Sequence, residues 1–359
     1  MKFGVAFVGA GAVVEERHLP AVVALGAEVR AVYDPNPAAA ARVGPVAGSL
    51  EEAVRAEGVD VVTVASPNVF HRAGVEAAAA AGKHILCEKP IATNLRDARA
   101  MLEAAERAGV ALQVGFHHRF SSEFKLAKRI VESGAIGRVR AFQAMISEPL
   151  SLVPGGRDNY RFDAEASGGL SLIDFGSHRI DQLRALVGEV ASVEARLGCV
   201  GTHGLDDNIT LLVETRDGAL GTLNFHRFSR GAVSPTYLIG DKGTLCFSAY
   251  VVNPFHAAPV AVYSEEPLPG DVRVYGRGPD WWNPPGPGWS ALWPPVENTF
   301  VGQYRAFFSA IAEGRKPEVG GEEGYRGLEV IIAAYKAFAG GRGVELPLDP
   351  EEDVIIPRF

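Results

Sequence analysis

FGVAFVGAGAVV, residues 3–14, is the stretch from which the rest of the chain is read. Its first half, FGVAFV (3–8), is an apolar run without polar alternation, as expected of a strand buried on both faces. It passes directly into Gly9-Ala10-Gly11-Ala12-Val13-Val14 and then into a helical pattern. Strand, glycine turn and helix form the context in which a GxGxx(G/A) match implies a dinucleotide cradle. Gly9 permits the tight turn, and Gly11 lets the backbone approach a pyrophosphate at the helix N-terminus, where Ala12 and Val13 follow. Val14 stands where the fingerprint has a third small residue. That departure predicts slightly looser helix–strand packing and an intact phosphate site.

Outward from this stretch, strands and helices alternate. A second strand, 28–33 (EVRAVY), ends at Asp34, 20 residues past Val14. A carboxylate there can accept hydrogen bonds from the adenosine ribose and repels a 2′-phosphate, which favours NAD while leaving NADP possible. Further strands are expected at 60–65, 84–87 and 110–114, and helices at 69–81 and 94–108. This alternation implies a doubly wound parallel sheet, with ligands beyond the carboxyl ends of its strands. Gly9, Asp34, Ser66, Glu88, Lys89 and His117 all occupy such ends. Lys89 is followed by Pro90, which fixes the chain; a cation there could polarise a substrate hydroxyl or carbonyl.

The second half opens with a helical run, 123–133, that leads away from the first unit. Residues 167–187 (SGGLSLIDFGSHRIDQLRALV) read as one helix. At about 100° per residue, Asp174, His178 and Asp181 fall within an arc of about 60°, opposite Ile173, Phe175, Ile180, Leu183, Leu186 and Val187. Strand-like runs follow at 138–147, 190–199, 207–215, 218–228, 235–240 and 243–248, spaced as hairpins. The expected fold is therefore an N-terminal Rossmann domain (1–122) and a C-terminal α/β domain (123–359) for substrate binding and oligomerisation. The latter would hold a large, mostly antiparallel sheet covered by helices on one face. An isologous homodimer or a homotetramer would bury the other face. Residues 253–298 are rich in Pro and Gly and are expected to be irregular. They carry Trp281, Trp282, Trp289 and Trp293, either as a loop over the site or as a cover for the sheet edge. Residues 149–166 form another irregular stretch, where Arg157, Tyr160 and Arg161 could reach a substrate or bind carbonyls.

Composition limits the function classes. Lys and Arg number 35 against 43 Asp and Glu, a net charge of −8, which argues against a nucleic-acid partner. No apolar run reaches about 18 residues, so no membrane span is expected, and the N-terminus lacks a signal peptide's pattern. Cys87, Cys199 and Cys246 fit neither a zinc spacing nor a disulfide framework, so a reducing cytoplasm is the simplest location. His117 and His118, adjacent on a loop, do not by themselves make a metal site, and no metal is expected.

Together these residues resemble the Gfo/Idh/MocA family of oxidoreductases over nearly the whole length. The carrying segments are VGAGAVVEERHLPAV, ASPNVFHRAGVEAAAAAGKHILCEKPIATN with Glu-Lys-Pro at 88–90, GFHHRF at 115–120, SGGLSLIDFGSHRID, and EVGGEEGYRGLEVIIAAYKAF. The 115–120 segment often reads with Asn and Arg in the family where this chain has His117 and His118. The resemblance implies a two-domain enzyme with the nicotinamide between the sheet ends and the second domain. It implies Lys89 as the catalytic lysine, Glu88 near the nicotinamide ribose, and Asp174, His178 and Asp181 around the substrate. Ser66, Asn68 and His71, within the second segment, join the expected cofactor contacts. The expected reaction is hydride transfer between the nicotinamide and a secondary alcohol or ketone of a sugar, inositol or related polyol. His178 is the first choice of base, with Asp174 or Asp181 orienting it, and Lys89 stabilises the alkoxide. Two other readings stay open: a nicotinamide-binding regulatory protein without turnover, and NAD-dependent glycoside cleavage.

Overall fold

The computed structural model describes residues 2–152, 159–202, 204–248, 258–269, 288–352 and 355–359. Five strands form a parallel sheet: β1 (Gly4–Val8), β2 (Glu28–Tyr33), β3 (Val61–Val64), β4 (His84–Cys87) and β5 (Leu112–Val114). Their spatial order is β2-β1-β3-β4-β5. The order reverses between β1 and β3, which opens the crevice where such sheets bind ligands. β1 and β3 are buried at every position, which explains their unbroken apolar runs.

Helices α1 (Leu19–Ala24), α2 (Pro37–Val43), α3 (Leu50–Arg55), α4 (His71–Ala80) and α5 (Leu95–Ala108) link the strands. Local chemistry sets their ends. Asn94 caps α5 by accepting from the Asp97 amide at 2.8 Å, and Gly109 closes it in the left-handed region at φ 65°. The helix after the glycine turn opens with a wide π-turn over Val14–His18, and Val14 is fully buried.

The chain then runs through α6 (Ser122–Glu132), β6 (Val139–Pro149), α7 (Ala164–Ser167), α8 (Ser177–Val187), β7 (Val190–Gly198), β8 (Asn208–Thr215) and β9 (Leu220–His226). It continues with β10 (Phe228–Val233), β11 (Pro235–Gly240), β12 (Gly243–Ser248), β13 (Val260–Ser264), β14 (Gly288–Leu292), α9 (Thr299–Ala312), α10 (Gly321–Gly340) and β15 (Val344–Glu345). These strands form one ten-stranded sheet, mostly antiparallel, with β6 and β9 parallel. One cross-strand row runs Trp289, Tyr263, Thr244, Ile239, Ala141, Leu220, Glu214. None of the seven is buried; Trp289, Ile239 and Leu220 are about half exposed, at 56%, 46% and 53%. This is the outward face of the sheet.

Two expectations are corrected. The stretch 253–298 holds β13 and β14, because VAVYS alternates buried and half-exposed side chains and extends the sheet from β12. Trp281 and Trp282 lie outside the described residues. The run 167–187 is not one regular helix: Gly168 and Gly169 take positive φ (83° and 130°), Leu172–Gly176 is a π-turn, and α8 begins at Ser177.

Hydrophobic packing does not divide where the chain does. The face of the first sheet lined by Ala6, Val8 and Val62 shares one core with α10 and with the inner face of the large sheet. The opposite face, with Phe3, Val5 and Phe7, is covered by α1, α2 and α9, through Phe300, Tyr304, Phe307 and Phe308. Phe3 stacks on Phe308 with ring centroids 4.4 Å apart.

Candidate active site

At the switch point the glycine turn has the shape that its sequence implies. Gly9 has φ 98°, and a Cβ there would stand 2.6 Å from the Ala65 carbonyl oxygen, so β1 and β3 approach too closely for any other residue. Gly11 differs: a Cβ would meet nothing within 4 Å. The protein itself does not need glycine at 11; the space above it is left for something else. Asp34 Oδ2 accepts from the Ala10 amide and Oδ1 from the Asn36 amide, both at 2.8 Å, which fixes the carboxylate at the end of β2. Gly9, Gly11, Ala12, Val13, Asp34 and Ser66 line a cavity of about 810 Å3. The buried Ser66 hydroxyl has no hydrogen-bond partner among the described residues. The open position at Gly11 and this orphaned hydroxyl fit a dinucleotide lying across the turn.

A second cavity of about 1010 Å3 adjoins it, sharing Val13, Arg17, Ala65, Ser66, Tyr160 and Arg161. Its floor comes from the ends of β4 and β5 and from the helix region 172–187. Lys89 Nζ donates to Asp174 Oδ1 at 2.8 Å and to the Asp174 carbonyl at 3.0 Å. Asp174 also receives Arg161 Nε at 3.2 Å and Arg227 at 2.9 Å, and Arg227 reaches Glu148 at 2.8 Å. Burial would raise the Asp174 carboxyl, but Lys89, Arg161 and Arg227 together hold it well below the usual carboxylate range.

Glu88 is 8% exposed; its carboxylate meets His18 Nε2 at 3.0 Å and accepts from the Lys89 amide at 3.1 Å. His18 Nδ1 in turn contacts the Tyr304 hydroxyl at 3.0 Å, so α9 supports this wall. Burial raises the Glu88 carboxyl, but the His18 hydrogen bond and the charges of His18 and Lys89 reverse that and bring it down to about 2. Asn68 lines the cavity and donates to the Ser167 carbonyl at 2.8 Å. His71 places Nδ1 3.0 Å from the Pro90 carbonyl and Nε2 3.0 Å from the Ser66 carbonyl. Its ring clasps the turn after β4 to the turn after β3, so it shapes the wall.

His178, on the first turn of α8, lines the cavity and is 5% exposed. Burial holds it well below the ordinary imidazole range, and its Nδ1 has no hydrogen-bond partner among the described residues. Its ring stacks on His118 at 4.0 Å and meets His117 edge-on at 5.0 Å. The fold thus brings a third imidazole to the adjacent pair.

Asp181 departs from the expected polar strip. It is fully buried, and Arg119 Nε and Nη2 bind its two oxygens at 2.6 and 2.7 Å. Asp174 is likewise committed to cations, so neither carboxylate is hydrogen-bonded to His178 in the described contacts. The physical reason is that a buried carboxylate takes the nearest cation. For Asp181 that is Arg119, from the turn after β5. Arg119, Arg227 and Glu148 were not singled out by the sequence reading. The signal available was Arg119's place directly after the paired histidines; nothing local marks Arg227. Tyr160 and Arg161 do reach the cavities, while Arg157 lies outside the described residues.

Residues 3–116 match the oxidoreductase family with an NAD-binding Rossmann fold, and residues 124–246 match the GFO/IDH/MocA C-terminal domain. A D-apiose dehydrogenase from Paraburkholderia graminis is 30% identical over 305 residues, covering 81% of this chain and 74% of that protein. A levoglucosan dehydrogenase from Pseudarthrobacter phenanthrenivorans is 29% identical over 321 residues, 80% of each. A solved structure of levoglucosan dehydrogenase with NADH and levoglucosan superposes with a TM-score of 0.82 at 27% identity, covering 97% of this chain and all of that one. With both halves matched and the cofactor cradle facing Lys89 and His178, the chain belongs to the Gfo/Idh/MocA family of oxidoreductases.

Proposed function

We propose that the protein oxidises a secondary alcohol of a sugar, inositol or related polyol with NAD, and runs the reverse reduction on the ketone. The observation that carries this is the meeting of Lys89 and His178 in one cavity that opens onto the glycine-turn cradle. Bound nicotinamide supplies the hydride acceptor. Gly9, Gly11, Ala12 and Val13 would hold the pyrophosphate, and Asp34 the adenosine ribose. Glu88, Ser66, Asn68 and His71 shape the nicotinamide end.

Lys89 donates a hydrogen bond to the reacting oxygen and stabilises its developing negative charge. Asp174 holds the ammonium in place with two contacts. His178, neutral because it is buried, accepts the hydroxyl proton at a ring nitrogen. Asp181 acts at one remove, as a positioning residue: its pairing with Arg119 ties α8 to the histidine turn. Relatives named for levoglucosan, D-apiose and myo-inositol support a cyclic polyol-like substrate.

The outward row from Trp289 to Leu220 supports a second copy of the chain as its cover, giving a dimer or tetramer. A solution mass of one 38.1 kDa chain removes that part. Cys87, Cys199 and Cys246 are all free thiols, which supports a reducing, cytoplasmic setting. Among the described residues no helix is long and apolar enough to cross a membrane.

The test is NADH formation at neutral pH across cyclic polyols and sugars, alongside release of a leaving sugar from glycosides. NADH with a polyol supports the reading. Glycoside cleavage without net NADH would overturn it in favour of transient oxidation, and cofactor binding without either would make the chain a sensor.

A further inference from the structure

His117 and His118 come from the turn after β5, His178 from α8, 60 residues further along the chain. Their ring centroids lie 4.4, 5.0 and 4.0 Å apart. One ligating nitrogen from each can be chosen so that all three lie within 4.8 Å of one another. A zinc–imidazole bond is about 2.0–2.1 Å, which puts a ring centroid about 3 Å from the ion. Three rings around one ion at near-tetrahedral angles then stand about 5 Å apart. His117 and His178 stand at that separation, while His118 lies closer to each, at 4.4 and 4.0 Å, and is stacked on His178 at 22°, so its ring would have to turn outward to take the ion.

We propose that His117, His118 and His178 form a binding site for a divalent first-row transition metal, zinc foremost. Three features beyond proximity carry it. His117 Nδ1 meets Thr299 Oγ1 at 2.9 Å, the outer hydrogen bond that orients a ligating imidazole and leaves Nε2 for the ion. His178 Nδ1 is buried with no hydrogen-bond partner among the described residues. All three rings line the substrate cavity that Lys89 also lines, which suits a site with three protein ligands and one exchangeable position. An all-imidazole set selects transition metals over magnesium or calcium, which prefer oxygen. Burial keeps all three rings neutral, the form that binds metal. The nearby cations are spoken for: Lys89 by Asp174, and Arg179 by Gln182 and Ser234.

The site goes beyond the dehydrogenase reading and is separable from it. With an ion bound, His178 would be a ligand rather than the proton acceptor, and the ion would lower the pKa of a hydroxyl held at its fourth position, the proton leaving to water in the open cavity. In its absence, His178 remains the proton acceptor.

The experiment is titration of chelator-treated full-length protein with Co(II), followed by visible absorption, and with Zn(II), followed by calorimetry. One ion per chain is expected, with a ligand-field band. His117→Ala and His118→Ala should abolish the band, and Thr299→Val should weaken binding about tenfold, as loss of an outer hydrogen bond does. NADH fluorescence titration verifies that each variant is folded; should the alanine variants fail it, His117→Asn and Thr299→Val decide. A band unchanged in these variants places the ion elsewhere and overturns the site. No band and no heat from NADH-binding protein overturns it also, and leaves the proton-acceptor role of His178 standing.

Discussion

The two ends of the active-site cleft are built by different means. The cradle around Gly9, Gly11 and Asp34 is made by backbone: a positive φ, an open Cβ direction, and a carboxylate held by two amides. The reacting floor is made by side chains from distant segments. Lys89 meets Asp174 across 85 positions, Asp174 meets Arg227 across 53, and Arg119 meets Asp181 across 62. The first kind of site is encoded locally and tolerates change around it. The second exists only when the whole fold does, and every member carries a charge, with Arg119, Asp181 and Arg227 buried.

That contrast can be broken experimentally, and the ion pairs should respond most. Arg119→Met leaves Asp181 buried without its cation and should destabilise the fold by about 3–5 kcal/mol. The double change Arg119→Met/Asp181→Leu should recover much of that in urea denaturation. A single variant within about 1 kcal/mol of wild type would show the pair to be solvated and the contrast false.

Lys89→Met should lower kcat by about 10²–10³, some 3–4 kcal/mol of transition-state stabilisation, with NADH affinity little changed. Equal loss of cofactor binding would instead merge the floor with the cradle.

Acid should attack the floor first. Burial depresses His117 to about 3. Below the unfolded value near 6.5, the unfolded chain binds a proton that the folded chain refuses. Its contribution to stability is therefore whole above about pH 6.5 and falls with pH down to about 3, by about 1.4 kcal/mol per pH unit. Glu88, lowered to about 2, acts in the same direction, losing its contribution as pH falls from about 4.5. Thermal melting from pH 7 to 4 should decline less steeply in His117→Asn than in wild type. Parallel lines would contradict a half-buried His117 that stays neutral in the folded chain.

The cradle should yield least. Asp34→Ala should weaken NAD about tenfold, or 1.4 kcal/mol, and narrow the gap between NAD and NADP. An unchanged ratio would mean that the carboxylate serves only the Ala10 and Asn36 amides.

The same division explains what could be read in advance. Gly9, Asp34 and Lys89 were legible because strand ends in a doubly wound sheet all point to one crevice, and each residue type there has a local reason. The strands of the second sheet were legible where alternation was unbroken. β13 was not, because proline and glycine on either side outweighed the alternation of VAVYS. The periodicity of 174, 178 and 181 marked three polar groups, but Asp174 lies in the π-turn before α8 and Asp181 is buried against Arg119. It said nothing of Arg119, Arg161 and Arg227, which decide what each of them does. Nor could it join His178 to His117 and His118, since that depends on how α8 docks.

One feature of the packing bears on how the chain is made. Tyr304 and Phe307 are fully buried against the face of the first sheet that carries Phe3 and Phe7. A nascent chain emerges N-terminus first, so α1 and α2 reach that face early and α9's share of the cover arrives only late in synthesis. The core of the first 122 residues is therefore finished late: the oldest part of the chain is completed by nearly the newest. A truncation before Thr299 should be captured by chaperones or degraded, and supplying residues 299–359, which carry α9 and α10, as a separate chain should rescue it.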